Sequence, residues 1–140
     1  MGSPDLAEHL AEVPLFSRTS ALERSAVARH AQERQVDDGA VLIEQGTPGD
    51  AFYVILDGKA RVIRDGEGVG QVGAGAWFGE LALLDGEPRS ATVVADGPLT
   101  VAVLPTATFR LALREFPDLT EQLLAALAAQ LRTASAPVHH

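Results

Sequence analysis

The chain of 140 residues contains no cysteine, which removes disulfide frameworks, thiolate metal sites and thiol nucleophiles together. Its four histidines, His9, His30, His139 and His140, all lie outside the glycine-rich middle of the sequence. No strand can therefore carry a His-x-His pair, which argues against a metal-dependent cupin, and no strand histidine is at hand to activate a serine. A non-enzymatic role is expected. Basic residues are scarce: eleven Lys and Arg against nineteen Asp and Glu give a formal net charge of −8. They are scattered, so nucleic acid is not expected as a partner of this chain. Hydrophobic residues make up 46%, yet no run approaches the length of a membrane span. Met1 to Val13 has no apolar stretch flanked by cations, so no secretory signal is expected and the cytoplasm is the default compartment.

What is present divides a single expected domain, residues 1–140, into three parts. Residues about 5–34 read as helical, with Ser20 and Glu23 spaced as a capping box and Leu22, Ala26 and Ala28 to Ala31 suited to its interior. From about 39 to 104 the texture changes, and twelve of the thirteen glycines fall between Gly39 and Gly97. Short β-runs alternate with these turns at Ala40–Glu44, Ala51–Leu56, Lys59–Arg64, Val69–Val72, Ser90–Ala95 and Leu99–Leu104. The Gly66-Glu67-Gly68-Val69-Gly70 stretch lacks a following helix and reads as a hairpin turn. Many short strands at this spacing predict a mainly β fold, an antiparallel jelly roll (double-stranded β-helix) flanked by N- and C-terminal helices. Helix returns at about 105–134: Pro105 suits a first turn, a helix runs to Glu115, and Pro117 separates it from a second one over Asp118 to Thr133. Leu119, Leu123, Leu124, Leu127 and Leu131 make an apolar stripe on that last helix. The stripe suits packing on the barrel, a homodimer seam or a lid over a ligand.

The stretch from Trp77 to Val93 carries the chemistry. A glycine opens a one-turn apolar segment, Gly79-Glu80-Leu81-Ala82-Leu83-Leu84, where main-chain N–H groups at a helix start suit an anion. Gly79 lets a ligand approach the backbone. Arg89 offers a planar fork of donors suited to phosphate oxygens. Glu80 only accepts hydrogen bonds when ionised, which suits a ribose hydroxyl. Together they describe a site for a nucleotide monophosphate. Trp77 and Phe78 read as core or rim aromatics, and Asp50 and Asp57, each beside a glycine, as turn residues.

Phe-Gly-Glu-Leu-Ala-Leu, a short turn ending in proline, then Arg-Ser-Ala-Thr-Val resembles the phosphate-binding cassette of cyclic nucleotide-binding domains. That module is shared by the catabolite activator protein family, cyclic-nucleotide-dependent kinases and gated channels. The resemblance continues upstream in Ile43-Glu44-Gln45-Gly46, Gly49 to Ile55 and Asp57 to Ala60, and spans residues about 12–134. It implies a ligand shell of Phe78, Gly79, Glu80, Leu81, Ala82, Arg89, Ser90 and Ala91, with Thr133 and Ser135 reaching a purine from the last helix. Arg89 would pair with the phosphate, Glu80 with the ribose 2′-hydroxyl, and Ser90 with phosphate or base. No cofactor is implied. The ligand is expected to be cAMP, with cGMP as the alternative, and the receiver of the signal an unidentified protein effector or a fused output domain. No helix-turn-helix follows the last helix, so a stand-alone sensor and a domain of a longer protein both stay open. An interaction module of the same fold that binds no nucleotide is the rival reading. In the nucleotide-binding reading Arg89 serves the ligand, and its truncation spares the fold.

Overall fold

The computed structural model describes residues 3–79 and 86–133. Helix α1 (Ser3–Ala11), a 3-10 turn (Pro14–Phe16) and α2 (Ala21–His30) precede eight strands: β1 (Gln32–Val36), β2 (Val41–Ile43), β3 (Ala51–Asp57), β4 (Lys59–Arg64), β5 (Glu67–Gly73), β6 (Trp77–Phe78), β7 (Thr92–Ala95) and β8 (Leu99–Pro105). Helices α3 (Thr106–Glu115) and α4 (Pro117–Thr133) follow. The strands form two antiparallel four-stranded sheets, one in the order β1-β8-β3-β6 and the other β2-β7-β4-β5. This is the expected jelly roll with flanking helices.

Strands β3 and β8 explain the three layers. Their side chains alternate faces: Phe52, Val54, Ala102 and Leu104 join Leu6, Leu10, Phe16, Phe109, Leu119 and Leu123 in a core between the first sheet and the helices. The intervening Tyr53, Ile55, Val101 and Val103 point the other way, into a second core with Ala60, Val62, Val93 and Ala95 of the opposite sheet. Burial on both faces accounts for the nearly unbroken apolar runs of these two strands. Phe52 anchors the helical side, stacked on Phe109 at 4.4 Å between ring centroids and tilted against Trp77 at 5.9 Å.

Local chemistry sets most boundaries. The capping box forms, with Glu23 N–H donating to Ser20 Oγ at 3.0 Å and Ser20 N–H to Glu23 Oε1 at 2.9 Å. Strands β4 and β5 are joined by Asp65–Gly66, with φ of +53° and +82°, the conformation of a type I′ hairpin turn. The turn is therefore confined to those two residues, and the Glu67-Gly68-Val69-Gly70 that follows is strand.

Other expectations are corrected. Helix does not run to residue 34: Gln32–Val36 is a strand paired with β8 from Val103 to Leu99. Its polar sequence reflects an edge position with four of five residues exposed, and pairing overrides propensity there. Leu22 is 82% exposed; Val27 and Ala28 are the residues of α2 that pack inward. Trp77–Phe78 adds a short strand beside β3. Pro105 caps α3 from outside as the last residue of β8, whereas Pro117 is the proline that occupies a first helical turn.

Truncating Phe52 to alanine should cost about 3–5 kcal/mol, since it empties a fully buried, doubly stacked aromatic position. Urea unfolding followed by circular dichroism measures this as a lower midpoint at unchanged slope.

Candidate functional site

Arg89 is the centre of the site. It is 4% exposed, lying between the described end of the cassette and strand β7. Its guanidinium is held by main-chain carbonyls: Nη1 donates to Gly79 O and Nη2 to Ala51 O, both at 2.9 Å. Asp50 Oδ1 stands 3.6 Å from Nη2, but that carboxylate side chain is 88% exposed and so contributes little by itself. The backbone is pinned as well: Gly46 N–H donates to Arg89 O at 2.9 Å, and Arg89 N–H donates to Thr47 O at 2.8 Å. A buried cation is thus held by oriented dipoles, and the Asp50 carboxylate beside it stands at the solvent edge.

Gly79 explains how the guanidinium fits. Its φ is +96°, and a Cβ there would come within 2.8 Å of Arg89 Nη1 and 3.0 Å of Ala51 O. The sequence reading assigned this glycine to a ligand's approach; what crowds it in the structure is Arg89 itself. Gly79 follows β6, where Phe78 pairs with Tyr53 across the strands and the two rings stack at 5.0 Å and 3°. That stack fixes the chain just ahead of residue 80.

Arg89 and Tyr53 line a cleft of about 440 Å³. Val41, Leu42 and Ile43 form one wall, and Glu44, Thr47 and Asp50 contribute polar rim atoms. Burial pushes the Tyr53 phenol above its ordinary pKa; the Asp50 carboxylate adds to this, and Arg89 and Arg34 oppose it. The phenol therefore stays neutral at physiological pH. Chemically, the cleft offers a rigid two-pronged cation within a mainly polar lining.

The other expected residues fall as follows. Phe78 is buried at 6% exposure, Ala91 buries its methyl between the sheets, and Ser90 is half-buried beside Arg89. Phe78 and Ala91 can thus meet a ligand mainly through backbone atoms. Glu80, Leu81, Ala82 and the short helix expected of them, and also Ser135, lie outside the described residues. Thr133 is the last residue of α4. Asp50, read from sequence as a turn residue, proves to be an ionic neighbour of Arg89; Val41 to Ile43, Thr47 and Tyr53 join the cleft without having been singled out. The Gly-Asp just before the run Ala51–Leu56 was the available signal for Asp50, since it places an acid at the mouth of that strand. Among the described residues no group of His, Cys, Asp and Glu could hold a metal ion, and no helix is long and apolar enough to cross a membrane.

Replacing Gly79 with alanine should cost about 1–3 kcal/mol from the left-handed backbone, with further loss as the guanidinium is displaced. Denaturant unfolding measures the first effect. The second is visible as a shifted Arg89 side-chain NMR resonance.

The sequence model of the family described as "Cyclic nucleotide-binding domain" matches residues 33–116. The cAMP-dependent protein kinase regulatory subunit of Mycosarcoma maydis is 41% identical over 103 residues, covering 71% of this chain and 20% of that one. The chain spans about a fifth to a quarter of the length of the kinase regulatory subunits it matches. The regulatory domain of Toxoplasma gondii PKA, solved with cAMP, superposes with a TM-score of 0.80 at 31% identity, covering 91% of this chain and 50% of that one. The catabolite activator protein of Thermus thermophilus gives a TM-score of 0.78 at 32% identity, with 86% of this chain and 59% of that one covered. A jelly roll with a buried arginine at the floor of its cleft, matched over most of its strands, places this chain in the cyclic nucleotide-binding domain family.

Proposed function

We propose that residues 1–140 form a regulatory, non-catalytic domain that senses cAMP, with cGMP as a weaker ligand. The observation that carries this is an arginine only 4% exposed lining a cleft of about 440 Å³. A cation so placed suits one anionic group of small size. Arg89 would pair with the cyclic phosphate while keeping its carbonyl bonds to Gly79 and Ala51. N–H groups near Gly79 to Leu83 would complete the phosphate cradle, and Glu80 would accept from the ribose 2′-hydroxyl. Phe78 and Ala91 would frame the ligand, Ser90 would add a phosphate or base contact, and Thr133 and Ser135 would approach the purine.

Kinase regulatory subunits among the relatives support a protein effector or fused output domain as the receiver, in the cytoplasm. Leu124 and Leu131 of α4, 60% and 63% exposed, support a homodimer contact. The acidic balance of the chain disfavours nucleic acid.

Calorimetric titration of nucleotide-free protein with cAMP and cGMP tests this reading. Binding of cAMP with up to about a tenfold preference over cGMP is expected, since only a few polar contacts can discriminate, each worth roughly 0.5–1.5 kcal/mol. Binding of neither nucleotide would leave the fold as an interaction module. Arg89→Ala should weaken cAMP by about 2–5 kcal/mol. Contrary to the sequence reading, it should also destabilise the ligand-free protein, by about 1–3 kcal/mol for each carbonyl left without a donor. Thermal unfolding without nucleotide measures that part. The 2′-deoxy analogue should bind wild type more weakly than cAMP and lose less on Glu80→Gln, as a charge-assisted bond becomes a neutral one. Equal affinity of wild type for both ligands would remove Glu80 from ribose recognition.

A further inference from the structure

The tip of the β4–β5 hairpin is not among the residues lining the cleft, yet it is tied to Arg89 through three consecutive residues. Gln45 grips the tip with both ends of its amide. Its Nε2 donates to Asp65 Oδ1 and its Oε1 accepts from Asp65 N–H, each at 2.9 Å. Among the described residues Asp65 is the only non-glycine with positive φ, at +53°. The next two residues grip Arg89: Gly46 N–H donates to its carbonyl, and its N–H donates to Thr47 O. The segment is stiffened from inside and from β7. Thr47 Oγ1 donates to Glu44 O at 2.6 Å, and Gln45 N–H donates to Thr92 Oγ1 at 2.9 Å. A shift of Gln45 therefore moves the peptide groups that hold the Arg89 main chain.

We infer that Gln45 and Asp65 act as a positioning pair that sets where the Arg89 guanidinium stands in the cleft. For the nucleotide this rests on the function proposed above; for the placement of Arg89 it stands alone. The chemistry is specific to an amide at position 45. One end must accept from a main-chain N–H while the other donates to a carboxylate, and a side-chain amide does both whereas a carboxylate cannot. A carboxylate there keeps the first bond, loses the second and faces Asp65 with like charge. Exchanging the groups restores the pattern, because an amide at position 65 donates where the one at 45 did. Asparagine also tolerates a left-handed backbone.

The test is a double-mutant cycle on the full chain, comparing wild type, Gln45→Glu, Asp65→Asn and the double variant. Two readouts are needed: cAMP affinity, and hydrogen exchange of the Arg89 and Gly46 amides in nucleotide-free protein. Gln45→Glu should weaken cAMP by about three- to tenfold and accelerate exchange at both amides, as expected for losing one net hydrogen bond. Asp65→Asn alone should change affinity less than about twofold, since its carbonyl still accepts from Gln45. The double variant should recover to within about twofold of wild type in both readouts. General loss of fold would accelerate the core amides of Ile55 and Val101 equally, whereas mispositioning moves Arg89 and Gly46 alone. An unchanged Gln45→Glu variant, or a double variant no better than it, would overturn the inference. If wild type binds no cAMP, the functional reading fails, and amide exchange still decides the positioning role.

Discussion

A positive charge held almost out of water is the constraint on which the rest of the site depends. Arg89 cannot be buried without oxygen partners, because an unpaired guanidinium in an apolar sandwich costs several kcal/mol. The fold supplies main-chain carbonyls from two places far apart in sequence, Ala51 at the start of β3 and Gly79 just after β6. Those carbonyls converge only because β6 pairs with β3, bringing Phe78 beside Tyr53. Main-chain dipoles stabilise the cation without neutralising it, and Asp50 at the surface does little to quench it.

The same constraint decides what residue 79 can be. A side chain there competes for space with the guanidinium, so the glycine and the arginine form one unit ten residues apart. The aromatic pair behind them makes the unit rigid. Tyr53 and Phe78 lie nearly parallel, and both bury their rings between the sheets. Rigidity of this kind favours ligand affinity, because less disorder is lost when the ligand arrives.

Legibility in the sequence followed the range of the forces involved. Strand β4 was readable to the residue, since alternation and flanking glycines are local signals. The capping box was readable for the same reason. Strand β1 was not: Gln-Glu-Arg-Gln-Val has no apolar alternation, and only its partner 67 residues on makes it a strand. Arg89 was legible as a cation in a phosphate-binding pattern, but its debt to Ala51 was not, because nothing local connects positions 51 and 89. Asp50 was misjudged in the same way. Its neighbour Gly49 suggested a turn, while its pairing with Arg89 depends on the closed fold.

The pairing of β1 with β8 sets a condition on how the chain reaches this state. The first strand hydrogen-bonds along its length with the last, and β3 pairs with that same last strand on its other side. During synthesis the first sheet therefore has no centre until residues 99–105 have left the ribosome. Until then β1 and β3 have unpaired edges, and the helical core lacks Ala102 and Leu104. Contacts of such sequence separation are closed late and slowly. Completion of the first sheet, and with it the support behind Ala51 and Tyr53 on β3, is thus delayed to the end of translation of the barrel.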